Sequence, residues 1–180
     1  LKKIILVFTI VSASRELKMK FLMKQKMLLV IRALYFCMEE QWSELGKEHR
    51  ISPAQQHILF LLSVNPSLTP TQISELGCWH ISTVTRLLKP LEFKGLVYVS
   101  PDTEQRKYKK VSITKEGEQL FQKLVESVQE MEHFPFPVNH LSDNELLGFL
   151  EYGQSFLDVM KGESYGSRVI NAKIPGVDYN

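Results

Sequence analysis

Residues Leu68 to Thr114 constrain this chain more than any other stretch. The segment LTPTQISELGCWHISTVTRLLKPLEFKGLVYVSPDTEQRKYKKVSIT reads as a short capped helix, a turn at Gly77, a second longer helix, and two strands joined by a charged, proline-containing loop. That order is a helix-turn-helix followed by a wing. In the second helix Ile81, Val84, Leu87, Leu88 and Leu91 recur on one face, while Ser82, Thr85, Arg86 and Lys89 fall on the opposite one. Hydroxyls near the helix start and cations further along suit a helix laid in a DNA groove with its N-terminal residues at base edges. A solvated amphipathic helix is the bland reading of the same pattern.

The flanking sequence supports a compact trihelical unit. Ser52-Pro53-Ala54-Gln55 is a capping box with proline at the first helical position, and Thr69-Pro70-Thr71-Gln72 repeats the device. Asn65-Pro66 ends the first of these helices. Gly95 is the expected stop of the outward-facing helix, and Leu96 to Val99 then turns strand-like. Pro101 to Glu104 forms a turn, and Tyr108 to Ile113 returns as a second strand. Pro90 lies inside the recognition helix and is expected to kink or end it.

On either side lie long apolar helices. Met27, Leu28, Ile31, Leu34, Tyr35, Met38 and Trp42 form a stripe from about Lys24 to His49, wider than one side of a small core requires. Beyond the wing, Thr114 or a neighbour opens a helix through Met131, the Phe134-Pro135-Phe136-Pro137 break follows, and the Ser142 to Glu145 box starts a last helix reaching Met160. From Gly162 onward the composition reads as a poorly ordered tail.

At 180 residues and 44% hydrophobic content, the chain suits one globular domain with appended helices. The net charge is only +2, so an anionic partner must be met by a local patch. Arg106, Lys107, Lys109, Lys110 and Lys115 supply one without an intervening acid. Cys37 and Cys78 have no metal-ligand or disulfide spacing, which fits a reducing, cytoplasmic setting, and His49, His57, His133 and His140 show no ligand pattern. No cofactor or metal is expected. With no phosphate loop after a strand, no nucleophile elbow and no paired carboxylates, the chain does not read as an enzyme.

The amino terminus imitates a short secretory signal: Lys2 and Lys3, an apolar run from Ile4 to Val11, then Ser12-Ala13-Ser14. The run is too short to span a bilayer, so no membrane partner is expected. Leu1 fits an alternative start codon or an over-extended start, so the first residues are expected to be accessory or over-called, with Met19, Met23 and Met27 as plausible natural starts, and export would gain nothing for a DNA-binding domain with unpaired cysteines.

The segment HISTVTRLLKPLEFKGLVYVSPDTEQRKYKKVSITKEG resembles the MarR family of bacterial winged-helix transcription regulators, and the Leu76 to Thr83 turn is similar to the family's Hpr branch. The resemblance covers roughly Met27 to Met160. It implies a mainly α fold with a small β-wing, a winged helix-turn-helix whose N- and C-terminal helices form a dimerisation region. The expected organisation is an N-terminal extension at 1–23, dimerisation helices at 24–51 and 115–161, a DNA-binding domain at 52–114, and a tail at 162–180.

The resemblance further implies a homodimer that places two recognition helices and two wings on a pseudo-palindromic double-stranded operator. Candidate DNA contacts are His80, Ser82, Thr83, Thr85, Arg86, Lys89, Arg106, Lys107 and Lys109. His80 sits at the expected N-cap, where capping is its structural alternative. Arg86 is the best base reader, with a plain phosphate contact as its alternative. The family's wing usually carries an Asp-x-Arg pair; here Gln105 and Lys107 fall at those positions, so either Lys107 takes the role or Arg106 does after a one-residue slip, with Glu104 as its partner. Some relatives sense oxidants through a cysteine on the first long helix, a role Cys37 could fill if it is not simply a buried small hydrophobe. Apolar surface between the dimer helices and the DNA-binding lobe could hold a small-molecule effector, but no polar constellation identifies one. The rival reading is a winged-helix protein-interaction module without sequence-specific DNA binding, favoured by Pro90 and the irregular wing pair.

Overall fold

A computed structural model describes residues 2–101 and 109–179. In chain order it contains α1 (Lys2–Gly46), α2 (Pro53–Val64), α3 (Pro70–Leu76), α4 (Ile81–Phe93), β1 (Val97–Pro101), β2 (Lys109–Ile113), α5 (Lys115–Glu130) and α6 (Asp143–Lys161). A three-residue α7 (Glu163–Tyr165) then runs into a π-helical turn at Gly166–Ile170. The fold is mainly α with one small antiparallel sheet, as the sequence predicts. The chain divides into residues 1–41 and 42–180.

The first unit lies within α1, which starts at Lys2 rather than near Lys24. Neither glycine nor proline occurs before Gly46, so nothing breaks the helix where its amphipathic period fades. Phe21, Met23, Leu28, Val30 and Ile31 are each more than half exposed. Stepping 100° per residue, the large apolar side chains from Met19 to Phe36 are distributed around the whole helix.

The second unit is built around α2, whose Ile58, Leu59, Leu61 and Leu62 are fully buried. Each such side chain contributes about 1.5–3 kcal/mol of burial. Ile73 and Leu76 of α3, Val84, Leu88 and Leu91 of α4, Val97 and Val111 of the sheet, and Phe121 and Leu124 of α5 complete the core. The three expected capping boxes are present, with Ser52 and Gln55, Thr69 and Gln72, and Ser142 and Glu145 exchanging hydrogen bonds at their helix starts. Gln55 also donates from Nε2 to the Leu87 carbonyl at 3.4 Å, which ties the start of α2 to α4. Gln56 Nε2 donates to the Trp42 carbonyl at 2.8 Å. In the sheet, Val97 pairs with Ile113 through to Pro101 with Lys109, and Leu68 exchanges two backbone hydrogen bonds with Val111 at 3.0 and 2.8 Å.

The structure settles one alternative at Pro90, adds a cause at Gly77 and corrects the tail. α4 does not stop at Pro90: it continues to Phe93, and the Lys94 amide still donates to the Pro90 carbonyl at 3.1 Å. Only the bond from position 90 back to the Arg86 carbonyl is lost, and buried Leu88 and Leu91 anchor the helix on both sides of it. Gly77 is the C-cap of α3 and turns the chain there as expected, in an ordinary right-handed conformation, while Cys78 takes the positive φ of 57°. Gly77 is needed for space as well, because a Cβ there would collide with the Trp79 ring. The segment after Gly162, expected as a poorly ordered tail, is folded back: Val169 is 6% exposed and belongs to the core. Gly162 at φ 81° reverses the chain after α6, and the few apolar residues beyond it suffice once they fall on an existing core.

Candidate nucleic-acid interface

The helix-turn-helix is α3, the turn at Gly77–His80, and α4. Ser74 ties the turn from both sides. Its carbonyl accepts from the Trp79 amide at 3.0 Å, and its hydroxyl donates to the Trp79 carbonyl at 2.6 Å. The Trp79 ring meets His57 edge-on at 5.4 Å, and His57 lies a further 6.2 Å from Trp42 and 5.7 Å from Phe60. Burial in these rings pushes the His57 pKa down to about 4, so the imidazole is neutral under the turn.

His80 is the N-cap of α4, as expected. Its Nδ1 accepts from the Ser82 amide at 3.3 Å and lies 2.8 Å from the Ser82 hydroxyl. An accepting Nδ1 puts the ring proton on Nε2, so the capping geometry leaves an N–H donor facing away from the helix. Capping and contact are therefore compatible roles for one side chain. Ser82 has its hydroxyl proton engaged by His80, and Thr85 Oγ1 donates back to the Ile81 carbonyl at 3.1 Å. Both hydroxyl oxygens retain acceptor capacity.

Ser82, Thr85, Arg86 and Lys89 are all exposed, Thr83 is half-buried, and Val84, Leu88 and Leu91 on the opposite side are buried. Neither Arg86 nor Lys89 has a carboxylate partner among the described residues, so both cations stand free. Lys109, at the base of the wing, is exposed opposite Pro101. Arg106 and Lys107, with Glu104 and Gln105, fall outside the described residues. The structure thus brings the α4 candidates together on one face and leaves the wing-tip question where the sequence put it.

Two supporting residues, Lys94 and Gly117, carry no signal in the sequence, while Thr114 stands at the helix start expected for it. Lys94 at the C-cap of α4 donates to the carbonyls of Arg50 and His49 at 2.6 and 3.4 Å, fixing the far end of the helix to the turn before α2. Thr114 Oγ1 donates to the Gly95 carbonyl at 2.6 Å and accepts from the Gly117 amide at 3.0 Å, joining the wing to α5. A Cβ at Gly117 would collide with the Leu96 carbonyl, which is why a glycine stands at the re-entry into helix. Gly77 was the readable signal for the turn; the Ser74 and Lys94 contacts had none. Cys37 and Cys78 are free and exposed, against the expectation of burial for Cys37. No cluster of His, Cys, Asp and Glu among the described residues could hold a metal ion, and no helix among them is long and apolar enough to cross a membrane.

Comparison with known proteins agrees with this geometry. Residues 51–109 match the MarR family. The transcriptional regulator Hpr of Bacillus mycoides (strain KBAB4) is 26% identical over 161 residues, covering 81% of this chain and 85% of its own. The crystal structure of the transcriptional regulator SlyA superposes with a TM-score of 0.67 at 22% identity, covering 77% of this chain and 96% of its own. A cysteine-to-serine mutant of MarR from E. coli, solved in complex with operator DNA, superposes at 0.61 with 20% identity, covering 71% and 90%. The two structures speak for the fold. Together with the matched segment and a relative aligned over most of both lengths, they show a MarR-family winged helix-turn-helix domain at residues 51–109, similar to those of transcriptional regulators.

Proposed function

We propose that the protein is a cytoplasmic homodimeric repressor that binds a pseudo-palindromic double-stranded operator. α4 enters the major groove and the wing lies on the backbone or minor groove. The observation that carries this reading is the face of α4, where His80, Ser82, Thr85, Arg86 and Lys89 are exposed and uncovered while the opposite side is buried. Arg86 reads a base edge, His80 and Lys89 hold phosphate, Thr83 supports them at the helix start, and Arg106, Lys107 and Lys109 supply the wing's positive charge. That a MarR protein of the same fold was solved on operator DNA supports the docking mode.

Dimerisation is supported by apolar surface at both ends of the chain. On α6, Phe149, Tyr152, Phe156 and Val159 recur at three- and four-residue steps, and all are more than half exposed. That spacing is a seam for a partner helix. α1 adds apolar surface on all sides. A second copy of the chain is the partner that covers both.

The reading leaves room for a small-molecule effector. A groove of roughly 360 Å³ is lined by Ser63, Glu118, Phe121, Gln122, Ile174 and Pro175, within the small end of the range for ligand sites. Its charged group is Glu118, so it suits a neutral or cationic molecule better than an anion. Cys37, exposed on α1, remains open to oxidation under the same proposal.

The deciding experiment is an electrophoretic shift with the duplex upstream of the protein's own gene against random duplex, repeated across salt concentrations. Specific binding should weaken steeply with salt, and Lys109→Ala should flatten the log-log slope by up to about one unit per lost phosphate contact. Arg86→Ala should cost about 1–3 kcal/mol on the specific duplex and less on the random one. Equal affinity for both duplexes would sink sequence-specific binding. The interaction-module alternative has lost one of its two supports, because Pro90 leaves α4 continuous.

A further inference from the structure

The segment after α6 touches the reading head from outside the part of the chain that matches the family. Residues 51–109 match, yet the contacts come from residues 165–169. Tyr165 Oη lies 3.7 Å from Cys78 Sγ, in the turn that leads into α4. Arg168 Nε donates to Asn65 Oδ1 at 3.2 Å, and Asn65 Nδ2 donates to the Arg168 carbonyl at 3.4 Å and to the Leu61 carbonyl at 3.0 Å. Asn65 is the C-cap of α2. Val169 is buried in the core, and Gly166 is buried 3.3 Å from Gln154 Nε2 of α6, measured from the position its Cβ would take.

Five consecutive residues, 165–169, therefore join three places: α6, the end of α2, and the turn before the recognition helix. The turn is the part of the helix-turn-helix that most needs an external hold. Cys78 sits at φ 57°, a conformation that a residue with a Cβ adopts at a cost. The next two residues are Trp79, packed on His57, and His80, the cap of α4. The Tyr165 phenol is half-buried, and burial first, then the contact with Cys78, pushes its pKa up to about 12, so at neutral pH it keeps the proton it can donate to sulfur.

We propose that residues 163–170 form a strap that positions the recognition helix, with Tyr165, Arg168 and Val169 as positioning residues that hold the α3–α4 turn and the α2 C-cap against α6. The proposal rests on the DNA-binding reading above and extends it. The strap touches no DNA. It fixes the frame from which α4 presents His80, Ser82 and Arg86, so it governs discrimination between sequences more than attraction to phosphate. It also runs directly from α6, the helix given to the partner subunit, to the DNA-reading turn.

The test uses the full chain and the double variant Tyr165→Phe with Arg168→Ala, which removes both side-chain polar contacts and leaves the Arg168 carbonyl bond and Val169 in the core. Val125→Ala, on α5, is the matched control for loss of core packing. The strap variant should lose at least about fivefold in the ratio of specific to random-duplex affinity, the size of a modest coupling between sites. Its random-duplex affinity and salt slope should stay at the wild-type value, and the amides of Trp79 and Thr83 should exchange hydrogen faster. Val125→Ala, even with a comparable drop in melting temperature, should keep both the ratio and the exchange rates. A wild-type ratio in the strap variant, or an equal loss in the control, overturns the proposal. If the wild-type protein itself shows no preference between duplexes, the DNA-binding reading fails. The exchange measurement still decides the strap, since unchanged rates at Trp79 and Thr83 overturn it independently.

Discussion

Individual residues here divide by whether their role depends on near neighbours in sequence. His80 could be read as an N-cap because the cap acts on an amide two positions away. Gly77 turns the chain after α3 as the sequence predicts, and the structure adds a reason no local pattern gives, since the Trp79 ring occupies the space its Cβ would need. Gly77→Ala should therefore destabilise the protein by about 1–3 kcal/mol through overpacking, seen as a lower denaturant midpoint with an unchanged slope. A glycine that served only conformation at φ −86° would tolerate alanine. His57 gave no sign in sequence, because its environment comes from α1, α2 and the turn together. Its folded pKa of about 4 lies below the unfolded value of 6.5, so above pH 6.5 both states are neutral and the group adds no pH dependence. Between pH 6.5 and 4 the unfolded chain binds the proton and the folded one does not, so stability should fall as pH falls, by on the order of 3 kcal/mol across that window. Urea unfolding at pH 7 and pH 4.5 checks this against His57→Phe, which should remove that share of the loss.

Elements were legible wherever their signals are local. Three capping boxes and the Gly95 stop act within a few residues, and each appears where the sequence places it; the wing strands pair as expected over the described residues, with β1 running on to Pro101. Pro90 shows the limit of that approach. The cost of proline in a helix is local, but whether the helix survives depends on Leu88 and Leu91 being buried beside it. Pro90→Ala should extend the hydrogen-bond ladder of α4 and raise stability by about 1–3 kcal/mol, measured by thermal or urea unfolding. Sequence-specific binding should be kept, since the exposed reading face lies before position 90. A destabilised variant would mean that the proline relieves some tertiary conflict. α1 runs well beyond its amphipathic stripe because no helix breaker precedes Gly46. The segment after Gly162 is the converse case: few apolar residues look insufficient until a core exists for them to join.

At the scale of the molecule, the large apolar side chains left exposed on α1 and α6 need a cover that one copy does not supply among the described residues. Tyr152→Glu with Phe156→Glu should convert a dimer to monomer in analytical ultracentrifugation, with about 2 kcal/mol or more lost per buried aromatic. Operator binding should weaken in parallel. If the wild-type chain is already monomeric at micromolar concentration, the homodimer is wrong. The sequence by itself determined the winged helix-turn-helix, its order of elements and the face of α4 that points outward, because periodicity, caps and turn residues are short-range physics carried by neighbouring residues. Tertiary structure alone decided that Pro90 is tolerated, that Gly77 makes way for Trp79, that His57 stays neutral, and that Tyr165 and Arg168 reach back to the turn and to Asn65. Those outcomes depend on which distant side chains share a volume, and no local pattern carries that information.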